Sequence, residues 1–161
     1  MLEALGNIGD FLGGIGVVVT LVYLAMQIRK NTDPVRSASL DSVSLAHSAF
    51  LDRLASDPDL TRIWFNGHSG RAEFTETDEQ QFLNLLMSSA RRWESAFLQS
   101  KVGTLDFESY AGIFAEYTFV FSSPGAQRYW KRIRGVFVAE FVEFAENAIK
   151  EMREAQSPPA A

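Results

Sequence analysis

An apolar run without any ionised side chain, FLGGIGVVVTLVYLAMQI, occupies residues 11–28 near the start of the chain. Its eighteen residues give about 27 Å at the helical rise of about 1.5 Å per residue. A start at Ile8 extends this to the roughly 30 Å of a bilayer's hydrocarbon core. The pattern therefore predicts a single transmembrane helix, which anchors the protein over residues 1–30.

Small residues recur along one side of this predicted helix at steps of three and four. In water each helical glycine costs about 1 kcal/mol relative to alanine, whereas lipid offers the backbone no competing hydrogen-bond partner. A row of small side chains also lets a second helix approach closely. We expect this row to pair with another transmembrane helix, in a homo- or hetero-oligomer, unless lipid or the protein's own domain covers it. The row is Gly6, Gly9, Gly13, Gly16 and Thr20.

The charges on either side of the run predict its orientation. Glu3 and Asp10 precede the run, and Arg29, Lys30 and Arg36 follow it. Basic flanks remain in the cytoplasm, so we expect the N-terminus outside and the main domain beside the cytoplasmic face of the bilayer. The alternative is a first helix buried inside a soluble domain or oligomer.

After the run, apolar residues recur at helical spacing and no stretch alternates as a strand would. Capping residues, prolines and glycines divide residues 31–156 into an antiparallel bundle of about five to six helices, followed by a disordered tail at 157–161. The first of these helices starts at the capping sequence 31–34, and the second stops at Asn66-Gly67. Thr77 and Gln80 predict a capping box for the third. The predicted helices cover 34–55, 58–65, 77–101, 106–121, 124–134 and 139–154.

Two titratable residues fall on apolar faces of the predicted helices. His47 lies in the row of Leu40, Val43, Phe50 and Leu54, and is interpreted as a neutral core imidazole with one hydrogen-bond partner. The alternatives are a metal ligand, a pH-sensitive group or the polar group of a ligand cavity. Neither His47 nor His68 follows an acidic residue by three or four positions, so we expect no metal site. Glu94 shares a helix face with Arg91, which predicts a buried ion pair with Arg91, or with Arg132 or Arg134 from another helix. A catalytic acid or a ligand contact is the alternative.

Basic and aromatic residues alternate at 128–134, RYWKRIR. This stretch predicts a surface for anionic head groups, with Tyr129 and Trp130 at the interface, or for an acidic partner. Alternatively, its cations stabilise a helix end and pair with Glu140, Glu143 and Glu146. The candidate membrane-surface or partner residues are Arg29, Lys30, Arg36, Arg128, Trp130, Lys131, Arg132 and Arg134.

Composition excludes several kinds of chemistry. The net charge of −5 argues against nucleic-acid binding, and the absence of cysteine excludes disulfides, thiolate metal sites and cysteine nucleophiles. There is no P-loop, no G-x-S-x-G and no G-x-G-x-x-G. We therefore expect no cofactor and no catalytic residues.

Three segments carry a resemblance: LVYLAMQIRKNT at 21–32, SDPDLTRIWFNG at 56–67 and RRWESAFLQ at 91–99. They resemble a group of small bacterial proteins that have one N-terminal membrane segment and a helical domain. The resemblance implies membrane anchoring and a bacterial source, and it brings no activity with it.

Together these patterns favour a non-enzymatic, single-pass protein of the bacterial inner membrane. Its cytoplasmic helical domain would be an interaction, accessory or regulatory module, such as a subunit of a larger membrane complex. One alternative is a small-ligand sensor or small enzyme with a cavity in the bundle. Another is a soluble oligomer with the first helix buried between subunits.

Overall fold

The computed structural model describes residues 2–70 and 73–156, with side chains described at 13–27, 34–70 and 73–156. Every regular element in this part is helical, which confirms the predicted all-α helical bundle. The tail predicted at 157–161 lies outside the described residues. The helices are α1 (Leu2–Ser56), α2 (Pro58–Ser69), α3 (Glu76–Lys101), α4 (Phe107–Ser122), α5 (Pro124–Ile133), a 3-10 helix (Arg134–Val136) and α6 (Ala139–Gln156).

The predicted transmembrane helix is wrong: in the part of the chain that the structure describes, no helix is long and apolar enough to cross a membrane. The apolar run is not a separate element, because α1 continues from Leu2 to Ser56 through the polar and charged positions that follow it.

The helix start predicted at 31–34 is also wrong, because Pro34 lies inside α1. Proline removes one backbone hydrogen bond from a helix interior but leaves the flanking turns able to form. The chain divides into two compact units, Met1–Ala38 and Ser39–Ala161. The first unit contains the N-terminal part of α1, and the second contains the remainder of α1 with α2 to α6.

Two further helix ends differ from the prediction. α2 runs through Asn66-Gly67 and is capped by Gly70, whose φ of 66° is the left-handed conformation that glycine adopts readily. α3 is capped by Thr75 and not by Thr77, since the Thr75 hydroxyl accepts a hydrogen bond from the Asp78 backbone N–H at 3.1 Å. Thr75 precedes Asp78 by three positions and Thr77 precedes Gln80 by three, so a hydroxyl residue is followed by a polar side chain at the capping distance in both cases.

α3 supplies the largest share of the buried side chains and contacts α2, α4, α5 and α6. Met87 is partly buried, and the buried apolar side chains of α3 are Phe82, Leu85, Leu86, Ala90, Trp93, Ala96 and Phe97. Aromatic rings fill most of the core, and each buried large apolar side chain contributes about 1.5–3 kcal/mol. The fully buried rings include Phe82, Trp93, Tyr110, Phe121 and Phe141.

α2 and α5 meet at two glycines. Both Gly67 and Gly125 are buried, and a Cβ added to Gly125 would overlap the backbone carbonyl of Gly67. A Cβ on Gly67 would in turn overlap the ring of Phe82. Gly67 therefore serves helix packing, which explains why a glycine occurs here without ending α2.

Candidate functional site

The described part of the first unit exposes apolar side chains on all sides of α1. Gly13 and Gly16, which belong to the predicted small-residue row, have open space where a Cβ would lie. The Thr20 hydroxyl donates to the Gly16 carbonyl at 2.8 Å and so remains within its own helix. The large side chains are 46–62% exposed, and they are Ile15, Val17, Val18, Val19, Leu21, Val22, Tyr23, Leu24 and Met26.

Some of the residues predicted for helix pairing or for the membrane surface are not among those whose side chains the structure describes. The side chains of Arg29 and Lys30, and the positions of Gly6 and Gly9 on the helix surface, lie outside the described side chains. Arg36 is described, and it is exposed.

His47 lies at the centre of a polar cluster between α1, α3 and α4. It is 8% exposed; its Nε2 lies 3.0 Å from Glu116 Oε2 and its Nδ1 lies 3.4 Å from the Tyr117 hydroxyl. The imidazole therefore has two polar partners, where the sequence predicts one. No three His, Asp or Glu residues converge as metal ligands anywhere in the described part of the chain.

Arg92 and two tyrosines complete this polar cluster. The Arg92 guanidinium lies 3.9 Å above the Phe50 ring and donates to Ser88 Oγ at 2.8 Å. Burial raises the pKa of Tyr117, and burial with the neighbouring Tyr117 raises the pKa of Tyr110 well above its ordinary value. The Tyr110 hydroxyl is buried and has no hydrogen-bond partner in the described structure.

Sequence reasoning missed Arg92, Tyr110, Glu116 and Tyr117 as members of this cluster. The sequence did contain a signal for this cluster. Two tyrosines occupy core positions on the inward face of α4, and each buried hydroxyl needs a hydrogen-bond partner.

Glu94 of α3 is 6% exposed, and its carboxylate holds the start of α6 against α3. Its Oε2 accepts from Arg91 Nη1 at 2.7 Å, and its Oε1 accepts from the backbone N–H of Val138 at 2.7 Å. Arg91 also donates to the Val136 carbonyl at 3.0 Å and lies 4.4 Å from the centre of the Phe137 ring. The pair lines an open depression of about 460 Å³, but both carboxylate oxygens are already engaged.

The residues of the basic stretch at 128–134 lie in two kinds of surroundings: the aromatic side chains are buried, and two of the arginines form ion pairs. Tyr129 and Trp130 are 7% and 2% exposed, so their predicted place at a membrane interface is wrong. They are buried because α5 turns this face towards the core. Arg132 pairs with Glu79 at 2.8 Å, and Arg134 pairs with Glu146 at 2.6 Å.

Of the three glutamates predicted to pair with this stretch, Glu146 does so, through its ion pair with Arg134. Glu140 pairs with Lys101 of α3 instead. Neither Arg132 nor Arg134 reaches Glu94, which the sequence left open as a cross-helix pairing. Arg128 donates to the Gly70 carbonyl at 3.4 Å.

His68 lies among aromatic rings near the end of α2. Its Nδ1 donates to the Trp64 carbonyl at 2.7 Å, and its ring lies 4.2 Å from that of Trp64 and 5.2 Å from that of Phe82, measured between centres. Burial lowers the pKa of His68, and its Nε2 is buried without a partner in the described structure. The ring borders a mainly apolar depression of about 350 Å³, where Phe65 and Phe119 are exposed.

Comparisons with protein-family models, with curated proteins and with solved structures find no match to this chain. The resemblance to small membrane-anchored bacterial proteins therefore stays a prediction.

Proposed function

We propose that this chain is a non-enzymatic interaction module that assembles with further copies of itself through the apolar segment of α1 at 13–27, in antiparallel orientation. The observation that carries the proposal is the exposure of that segment. Nine large apolar side chains are about half exposed, and they surround the helix. A surface of this kind is typical of a helix that other apolar surfaces cover.

The energy available from covering this segment is large. Full burial of one such side chain contributes about 1.5–3 kcal/mol. One partner helix covers about half of the nine, which gives on the order of 5 kcal/mol per copy and about 10 kcal/mol for a pair. Association costs at least several kcal/mol in lost translational and rotational freedom. The surplus is sufficient for a stable assembly.

Charge complementarity favours a second copy as the partner. In sequence, Glu3 and Asp10 precede the segment, and Arg29 and Lys30 follow it. Two antiparallel copies place the acidic flank of each beside the basic flank of the other, whereas parallel copies oppose like charges. A two-fold axis satisfies both flanks at once.

Two buried titratable groups, Glu94 and His47, support a structural role for the second unit. Both carboxylate oxygens of Glu94 and both ring nitrogens of His47 have polar partners within the protein. Groups engaged in this way hold helices together, and a reacting substrate would have to displace those partners.

The test is sedimentation analysis of the full chain, prepared without detergent. We expect an oligomer, and we expect Val18→Glu to weaken association at least tenfold because it places a charge in the covered surface. The matched control is Leu45→Glu, which changes a 70% exposed leucine on the same helix outside the segment. A wild-type monomer, equal effects of the two variants, or association only with other proteins or with lipid vesicles would contradict the proposal.

Orientation can be tested separately because the chain contains no cysteine. Antiparallel packing predicts that a mixture of Gly13→Cys and Met26→Cys chains forms disulfides between the two variants. Parallel packing predicts crosslinks between identical variants, and that result would overturn the antiparallel arrangement.

A further inference from the structure

α5 and α6 enclose a groove on the surface of the second unit. It consists of two depressions of about 540 and 790 Å³ that share three lining residues, Gln127, Lys131 and Arg153. Trp130 and Ile149, which are 2% and 4% exposed, form an apolar floor under the smaller depression. We call this feature the α5–α6 groove.

Positive charge is concentrated along the groove, although the chain as a whole has a net charge of −5. Five cationic side chains line it against two carboxylates, which leaves an excess of three positive charges. The cations are Arg128, Lys131, Arg134, Lys150 and Arg153, and the carboxylates are Glu146 and Glu154.

The carboxylates neutralise this charge only in part. Glu146 is held close by Arg134 at 2.6 Å, whereas Glu154 and Lys150 are 4.0 Å apart. Lys131 forms no ion pair with any residue that the structure describes. The sequence singled out Arg128, Lys131 and Arg134 on α5, and the fold adds Lys150 and Arg153 from α6 to the same groove.

We propose that the α5–α6 groove binds a ligand that carries two phosphate groups. One phosphate monoester carries about 1.5–2 negative charges at neutral pH, so two of them match the excess of three. Guanidinium groups bind phosphate oxygens through paired N–H donors, and lysine adds a point charge. A single carboxylate would leave most of the excess unbalanced, and an extended acidic peptide would spread its charges beyond the groove.

Calorimetric titration of the full chain with inorganic pyrophosphate tests the proposal for a free ligand. Sedimentation with phosphatidylcholine vesicles containing phosphatidic acid tests the same chemistry presented by lipid head groups. Vesicles of phosphatidylcholine alone give the baseline for apolar association, and a hexaglutamate peptide gives the comparison for carboxylates. We expect binding that weakens as ionic strength rises, because the contact is between exposed charges.

The decisive variant is Lys131→Gln, which removes a cation that has no ion pair to lose. We expect it to weaken pyrophosphate binding about fivefold, and the double variant with Lys150→Gln to weaken it about twentyfold. The matched control is Lys101→Gln, which removes an exposed lysine from α3, outside the groove. That control should leave the dissociation constant unchanged.

Pyrophosphate binding with this variant pattern supports the proposal and identifies a soluble phosphate ligand. Binding to phosphatidic acid vesicles alone, with the same variant pattern, supports it and assigns the two phosphates to neighbouring lipid head groups. The proposal is overturned if neither probe binds, if Lys101→Gln weakens binding as much as Lys131→Gln, or if hexaglutamate binds as tightly as pyrophosphate. None of these outcomes depends on whether α1 self-associates, so the two proposals fail independently.

Discussion

Gly125 of α5 packs directly against the backbone carbonyl of Gly67 in α2, so closely that neither position has room for a side chain. The contact joins two helices that are far apart in sequence. Behind it, the ring of Phe82 from α3 fills the space where a Cβ on Gly67 would lie. The backbones of α2 and α5 therefore touch here, and a side chain of α3 packs against the same place.

Gly125→Ala should lower the free energy of unfolding by about 2–3 kcal/mol, because the new methyl group forces α2 and α5 apart. The control is Gly112→Ala in α4, where a Cβ meets nothing within 4 Å. That change should raise the free energy of unfolding by about 0.5–1 kcal/mol, as alanine does in an exposed helix. Urea unfolding of both variants measures the difference, and equal stabilities would contradict the close packing.

Loss of the hydroxyl from Tyr117 and from Tyr110 should change the free energy of unfolding in opposite directions. Tyr117→Phe removes the partner of His47 Nδ1 and should lower the free energy of unfolding by about 1 kcal/mol. Tyr110→Phe removes a buried hydroxyl that has no hydrogen bond, and should raise that free energy by up to about 1 kcal/mol. Thermal unfolding of the pair tests this; a destabilised Tyr110→Phe would show that its hydroxyl has a partner.

Glu94→Ala should lower the free energy of unfolding by about 2 kcal/mol, because it leaves the Val138 N–H without its acceptor and Arg91 without its ion pair. Glu94→Gln keeps an oxygen that can accept from Val138, so its cost should be smaller. Amide hydrogen exchange at Val138 provides a local measurement. It should accelerate in the alanine variant and change little in the glutamine variant, and the reverse order would refute the assignment.

Acid should destabilise the protein partly through His68. Burial lowers its pKa in the folded state below the value of about 6.5 in the unfolded chain. The unfolded state therefore takes up the proton first. The contribution of neutral His68 to the free energy of unfolding is complete above about pH 6.5. It is lost as the pH falls through the folded-state pKa, by at most about 1.4 kcal/mol per pH unit.

Urea unfolding at pH 7.5 and pH 5.5 measures this contribution as a difference between wild type and His68→Gln. The wild type should lose more stability on acidification than the variant. Carboxylates titrate equally in both proteins, so their effect cancels. Equal losses would mean that His68 titrates alike in the folded and unfolded chains.

Local spacing was sufficient to predict most of the second unit. In the predicted row, Val43, His47, Phe50 and Leu54 are buried and Leu40 is partly buried. α3 ends at Lys101 as predicted. These predictions succeed because a helix with one apolar stripe has only one way to face a core.

The failures occur where a local signal has a second physical meaning. Gly67 resembles a helix stop, but its missing side chain makes room for α5. Trp130 resembles an interfacial residue because basic residues surround it in sequence, yet α5 turns it into the core. The polar cluster around His47 joins residues from three helices, and no spacing within one helix indicates which residues of another will meet it.

Trp130 also gives the protein an internal optical reporter. Its indole forms the floor of the α5–α6 groove and donates to Glu146 at 3.3 Å, whereas Trp93 is fully enclosed by other rings. Changes at the groove therefore reach one fluorophore directly and leave another shielded. Occupancy of the groove can be followed through the emission of Trp130, with Trp64 and Trp93, which do not line the groove, as a constant background.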